Sequence, residues 1–354
     1  MPKENASLSR SRVILGALEE SMLSDLDPRV GGFSWWQDFN LTDDQRRYLS
    51  DYLCELTFTL QDVLGDMASI LSMYEQKRAT RDFQMKMRFN DPSGKGPYIP
   101  AGKTEYEAGQ LASILRDQYF FKLGSLLDLL SALLIGVTGV ESNIRRAEYK
   151  LFRTRQELEA LSNKGTRRFS FSPNEAEKSA QKVVALSMAA AIEAIEPAGW
   201  LDWCIDFRNT IIHRSPGVNY TNTINNRVGM VTKIIETPAL VPSKSFLESV
   251  FQKDNMNEVL IAEDIGEIMN GSFEALCAVV AGTLEAASNL WEKRRAAEVV
   301  IRQPATQWPV GSSPDIGFNG YSPSPVVFKN KDTVAVHPNT GRRLRGAGPN
   351  PPSR

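Results

Sequence analysis

Arg208, Asn209 and His213 bring a guanidinium, an amide and an imidazole into six consecutive residues, Arg-Asn-Thr-Ile-Ile-His. Histidine is scarce in this chain: there are two, and the other, His337, falls in a Pro- and Gly-rich segment. An imidazole exchanges protons near neutral pH, and a guanidinium meets a phosphate with two parallel hydrogen bonds. The trio therefore has the parts for proton transfer beside a phosphate. Asn209 stands one helical turn before His213, where it can orient the ring or the reacting group. Asp206 and Arg214 flank the trio as supporting groups.

The surrounding stretch, Trp200 to Arg214, has helical spacing. Trp200, Trp203, Cys204, Phe207 and Ile211 share an apolar face at i, i+3, i+4, i+7 and i+11, which is expected to be core. With Trp200 at zero, Asp202, Asp206, Asn209 and His213 fall at about 180° to 240°, a polar stripe opposite that face. Arg208 lies on the flank, and its side chain is long enough to swing toward the stripe. Pro197-Ala198-Gly199 launches this helix and Ser215-Pro216-Gly217 stops it, so the motif ends at an edge that a substrate can reach.

Arg208 to His213, with a polar Asn directly after the Arg, resembles the R-x4-6-H motif of HEPN domains (higher eukaryotes and prokaryotes nucleotide-binding). The resemblance covers one helix of the chain. It implies an all-α bundle, commonly dimeric, and a metal-independent endoribonuclease whose site forms where two motifs face each other. Such a protein cleaves RNA to 2′,3′-cyclic phosphate ends, in a toxin or defence role, with an antitoxin or other regulatory partner. RNA supplies its own nucleophile, the 2′-hydroxyl, so a base that takes its proton and an acid that protonates the leaving 5′-oxygen suffice. On this reading His213 moves protons, Arg208 stabilises charge on the phosphate and Asn209 orients. One histidine per chain is short for two proton transfers, and a symmetric homodimer supplies the second. No His cluster is spaced to hold a metal, and no cofactor is expected. The competing reading is a non-catalytic helical dimerisation or interaction module of the same fold, in which Arg208 and His213 only make polar contacts.

Composition narrows the choice. A net charge of −1 excludes binding nucleic acid through a broad basic surface, so RNA contact is expected to be local. Cys54, Cys204 and Cys277 are far apart and form no C-x-x-C pair, which fits a reducing cytoplasm. The start of the chain lacks the apolar core of a secretory signal. Hydrophobic residues make up 42%, enough for a sizeable core.

Stepping along the chain, residues 1–41 read as an N-terminal arm, 42–302 as one helical domain and 303–354 as a disordered Pro/Gly-rich tail. The arm holds an amphipathic helix over Leu8 to Leu26 and an aromatic cluster, Phe33 to Trp36, expected to anchor it. Thr42 caps a long helix running to Phe89 with a bend near Gly65. A loop follows to Lys103, and Thr104-Glu105 is expected to cap the next helix. Gly102-Lys103-Thr104 is no phosphate loop: Gly96 is one residue too far away, and Pro97 and Pro100 lack amide protons. Leu123 to Val140 approaches membrane-spanning length. However, Gly124, Ser125, Asp128 and Ser131 lie opposite its leucines, so it reads as a bundle helix and no membrane is expected. Glu141 to Leu161 reads as a charged, solvent-facing helix, and Thr166 to Arg168 as a small basic patch. Ser172-Pro173-Asn174-Glu175 begins an Ala-rich helix with Pro as its first residue. Asn219 to Asn226 reads as loop, whereas Val228 to Val241 and Val259 to Ile261 allow a small hairpin insertion. A last amphipathic helix spans Glu263 to Arg302, and Arg342 to Arg345 forms a basic cluster in the tail.

Overall fold

Apolar residues recurring at three and four positions fold into helices in the computed structural model: α1 (Ala6–Ser24), α2 (Asp43–Phe89), α3 (Lys103–Thr138), α4 (Glu175–Glu193) and α5 (Trp200–His213). A hairpin of β1 (Asn219–Asn225) and β2 (Val231–Pro238) follows, then α6 (Phe246–Phe251) and α7 (Ile265–Arg295). The structure describes residues 6–24, 43–140, 147–152, 154, 156, 158, 171–172, 174–213, 219–244, 246–251 and 258–296. The aromatic cluster at 33–36, Thr42, the basic patch at 166–168, Arg214 and the 303–354 tail lie outside these residues.

The expected all-α bundle is what forms. α2 is 47 residues long, about 70 Å at 1.5 Å per residue. It runs antiparallel to three neighbours. On α3, Glu105 pairs with Arg88 at 2.7 Å and Lys122 with Asp66 at 2.7 Å. On α7, Asp264 pairs with Arg78 and Asn270 with Glu75. On α1, Gly16 lies beside Gln61 and Arg12 beside Gly65. No break interrupts α2 at Gly65, where the helix is continuous; the missing side chain lets Arg12 come within 3.3 Å of where a Cβ would stand.

α3 is the central helix, packed against α2, α4, α5 and α7. Its polar side is covered unevenly: Ser125 is exposed and Asp128 half-buried, whereas Gly124 and all residues from Leu130 to Val140 are buried, since helices cover α3 on several sides. By length and composition α3 and α7 could each cross a membrane, and 72% and 61% of their apolar windows are buried within the bundle. α3 begins after Gly102 rather than at a Thr104 cap, because Glu105 is drawn to Arg88. It ends at Gly139, whose left-handed φ of 63° suits glycine and lets its N–H cap Ile135.

The expected charged helix after α3 is met only in part: Gln156 and Leu158 are α-helical, but the described residues between α3 and them are not. Tyr149–Phe152 is a short 3-10 turn with Tyr149 and Phe152 buried, fastened by the Tyr149 N–H to Asp128 Oδ1 at 2.9 Å. α4 starts two residues later than its Pro suggests, with the Asn174 side chain accepting from the Ala176 and Glu177 amides.

Asn219 to Asn225 is a strand, not a loop. From Thr221 onward its residues are exposed and, Ile224 apart, polar, yet β2 pairs with it antiparallel, from Asn219 opposite Pro238 to Asn225 opposite Val231, with a register shift after Ile224. Pairing, not hydrophobicity, makes it a strand. The hairpin is clamped to the end of α2 by Asn90, whose side-chain amide exchanges bonds of 2.7 and 3.0 Å with the Val231 backbone. Leu260 adds a bridge to Ala239.

Candidate active site on the motif helix

The turn that launches α5 is set by its own residues. Gly199 takes φ of 82°, the Trp200 N–H reaches back to Pro197 O, and Glu196 accepts from the Ala198 amide at 2.9 Å. The helix is then held from two sides. On α3, the Phe207 ring lies 4.6 Å from that of Phe120 and is stacked on Trp203 at 5.1 Å, with the Arg116 guanidinium 6.0 Å above it. On the segment after β2, Trp203 Nε1 donates to Ala239 O at 3.2 Å and the Thr210 hydroxyl to Pro242 O at 3.0 Å.

These contacts turn the helix relative to the expected core face. Leu201, Cys204, Ile205 and Phe207 are buried, whereas Trp200, Trp203 and Ile211 are half-buried. The indoles are large and carry a polar N–H, so Leu201 and Ile205 take the deeper places. On the wheel Arg208 falls at about 80°, between Cys204 at about 40° and Leu201 at about 100°. It belongs to the inward arc rather than to a flank of the polar stripe.

Arg208 is accommodated there by a glycine. A Cβ on Gly124 of α3 would stand 2.6 Å from Arg208 Nε and 3.0 Å from its Cδ and Cζ, so the side chain lies in a notch that only glycine leaves open. Its Nε–H is buried with no acceptor. Nη1 donates to Asn209 Oδ1 at 3.3 Å, which turns the guanidinium toward the next residue on the stripe. No carboxylate among the described residues forms an ion pair with it. Position 213 follows Asn209 by one turn and closes the helix; the His213 side chain lies outside what the structure describes.

Asp128, one turn after Gly124 on α3, stands within electrostatic reach of Arg208. Burial pushes its carboxyl above the usual range, and the Tyr149 amide and the Arg208 charge offset this only in part. Reasoning from the motif overlooked this residue. The signal was an acid in the middle of the most apolar run of the chain, Leu123 to Val140.

The remaining residues of the stripe and its edge are placed as follows. Asp202 and Asp206 are exposed, and Asp206 makes no side-chain hydrogen bond or ion pair to Arg208. Arg214 is outside the described residues. Cys204 faces the core as expected, and burial pushes its thiol up to about 12, which removes it as a nucleophile near neutral pH. Among the described residues no group of three or more His, Cys, Asp or Glu is gathered as for a metal ion.

The site is thus a half-buried guanidinium, an amide that accepts from it, and a nearby carboxyl, at the last turns of a helix that ends in histidine. No family model, characterised protein or solved structure matches this chain. What the arrangement can do must be argued from its chemistry.

Proposed function

We propose that this protein is a metal-independent endoribonuclease of the HEPN type, acting in the cytoplasm as a homodimer. The observation that carries this reading is Arg208: a half-buried guanidinium that finds no carboxylate partner and, for its sealed Nε–H, no acceptor among the described residues, directed to Asn209 beside position 213. Natural proteins rarely leave a buried donor orphaned. Its terminal nitrogens, engaged among the described residues only by Asn209, have hydrogen bonds and charge to offer a phosphate.

In the reaction, His213 of one copy takes the proton from the 2′-hydroxyl, and the freed oxygen attacks the adjacent phosphorus. Arg208 meets the charge that builds on the non-bridging oxygens. The bond to the 5′-oxygen breaks, and that oxygen takes a proton from the imidazolium of His213 of the second copy. The products are a 2′,3′-cyclic phosphate and a 5′-hydroxyl. Asn209 positions Arg208 and the imidazole, and Asp128 tunes the charge around Arg208. A toxin or defence role, with an antitoxin or other regulatory partner, accompanies this reading.

The experiment is incubation of the purified chain with mixed RNA in excess chelator, comparing wild type with His213→Ala and Arg208→Ala and examining fragment ends. A non-catalytic interaction module is the second reading, favoured by one observation: the Arg208 stem also serves as a wedge between α5 and α3 at Gly124. Gly124→Ala separates the two. A methyl there displaces the guanidinium, while replacing a mid-helix glycine favours α3 by up to about 1 kcal/mol. Catalysis through Arg208 predicts a thermal midpoint close to wild type and RNA cleavage reduced about tenfold or more, since misplacement by an ångström is costly. Unchanged cleavage in a folded Gly124→Ala protein would remove Arg208 from the mechanism.

A further inference from the structure

The first turns of α5 border a cavity of about 500 Å³ that the nuclease reading does not use. It lies between the Ile195–Gly199 turn, α5, the segments at Leu240 and Ile261, and the beginning of α7. Its volume is within the range of small-molecule sites.

The opening comes from α7. That helix presents Ile268, Gly271, Ser272 and Ala275 at i, i+3, i+4 and i+7, so small side chains stand where larger ones would close the gap. Gly271 is the informative one. It sits within a helix, where glycine costs about 0.5–1 kcal/mol relative to alanine, and a Cβ there would meet nothing within 4 Å. No packing need explains it, and a side chain at that position would point into open space.

The walls are apolar and aromatic, with Trp200, Trp203, Leu240, Ile261 and Ile268. Every charged residue lining the cavity is acidic: Glu196, Glu263 and Glu267. Glu263 has no hydrogen bond or ion pair, and Glu267 has only Lys233 at 4.0 Å, both of them exposed. Two indoles beside three carboxylates, with no basic residue in the lining, complement a positive charge on an apolar body. An ammonium gains from both, since tryptophan offers the best face for a cation–π contact.

We propose that this cavity binds a small organic cation, with its apolar or aromatic portion against Trp200 and Trp203 and its amine toward Glu263 and Glu267. The site is distinct from Arg208 and Asn209, and its test does not use RNA cleavage, so it stands or falls apart from the nuclease reading.

The test is calorimetric titration of the full chain with phenethylammonium and with 3-phenylpropanoate, which has the same phenethyl body and the opposite charge. The ammonium is expected to bind saturably and about tenfold or more tightly than the carboxylate, the scale of a charge preference worth one decade. Glu263→Gln combined with Glu267→Gln should bring the two probes within about twofold of each other. Gly271→Leu should abolish ammonium binding while the thermal midpoint holds or rises, because leucine is the better helix former. Equal affinity for the two probes, no saturable binding at millimolar ammonium, or full binding by folded Gly271→Leu would each overturn the proposal.

Discussion

His213→Ala and Arg208→Ala are each expected to lower RNA cleavage by about two orders of magnitude or more, the scale of a general acid–base group or a charge-stabilising donor. The measurement is the initial rate on mixed RNA with chelator present throughout. Cleavage in wild type should persist there, because the 2′-hydroxyl and the imidazole need no metal, and DNA should remain intact for want of that hydroxyl. Fragments should carry 2′,3′-cyclic phosphate ends. Asp202→Ala serves as the control: its side chain is exposed and remote from Arg208, and the rate should change little. Because each site takes a histidine from two copies, an excess of His213→Ala subunits mixed into wild type should lower the rate by more than dilution, since hybrid dimers hold only one histidine. Cleavage that requires an added metal, or that survives both substitutions, rejects this site.

Asp264→Ala is expected to cost about 3–5 kcal/mol of stability, the range found when one partner of a buried ion pair is removed. Asp264 is 4% exposed and serves three elements together. It takes both terminal nitrogens of Arg78 on α2, the Glu236 amide of β2 at 3.0 Å and the Gly266 amide at the start of α7 at 2.8 Å. Arg81 extends the network by pairing with Glu236 and with Asp82, the latter at 2.6 Å. Loss of the carboxylate leaves the Arg78 charge largely buried and uncaps α7. Arg78→Met together with Asp264→Leu should be milder than Asp264→Ala alone, since no charge is then stranded. Denaturant unfolding would show the order.

The same residue sets a pH dependence. Burial alone would raise the Asp264 carboxyl, but the Arg78 hydrogen bonds, followed by those from the Glu236 and Gly266 amides, bring it below its ordinary value. A carboxyl lowered on folding contributes stability that is present above the unfolded value, about 3.9, and is lost as pH falls through the folded value. The difference between wild type and Asp264→Ala should therefore be largest near neutral pH and shrink in acid. A difference that grows in acid would show that Asp264 is not the ionised partner.

Much of the helical architecture was legible in residue order, for a local reason. Apolar positions three and four apart, a Gly or Pro at each break and a polar residue at each start act within a few residues of one another, and they mark α3, α4, α5 and the start of α7 to within a few positions, although α7 ends at Arg295, ahead of the expected Arg302. The motif helix was bounded by Pro197 to Gly199 before any partner was known. Tertiary structure decided what depended on distant residues. β1 is a strand because β2 pairs with it, although its residues from Thr221 onward are exposed and mostly polar. α2 continues unbroken through Gly65, where α1 brings Arg12 against the missing side chain. Asp264 and Arg78, 186 residues apart, carry no mark of each other in the sequence. The rotation of α5 follows from Leu201 and Ile205 fitting deeper than two indoles, and the placement of Arg208 follows from a missing side chain on α3, at Gly124. A wheel records which faces prefer burial; which neighbour leaves room for a guanidinium is fixed only when the helices pack.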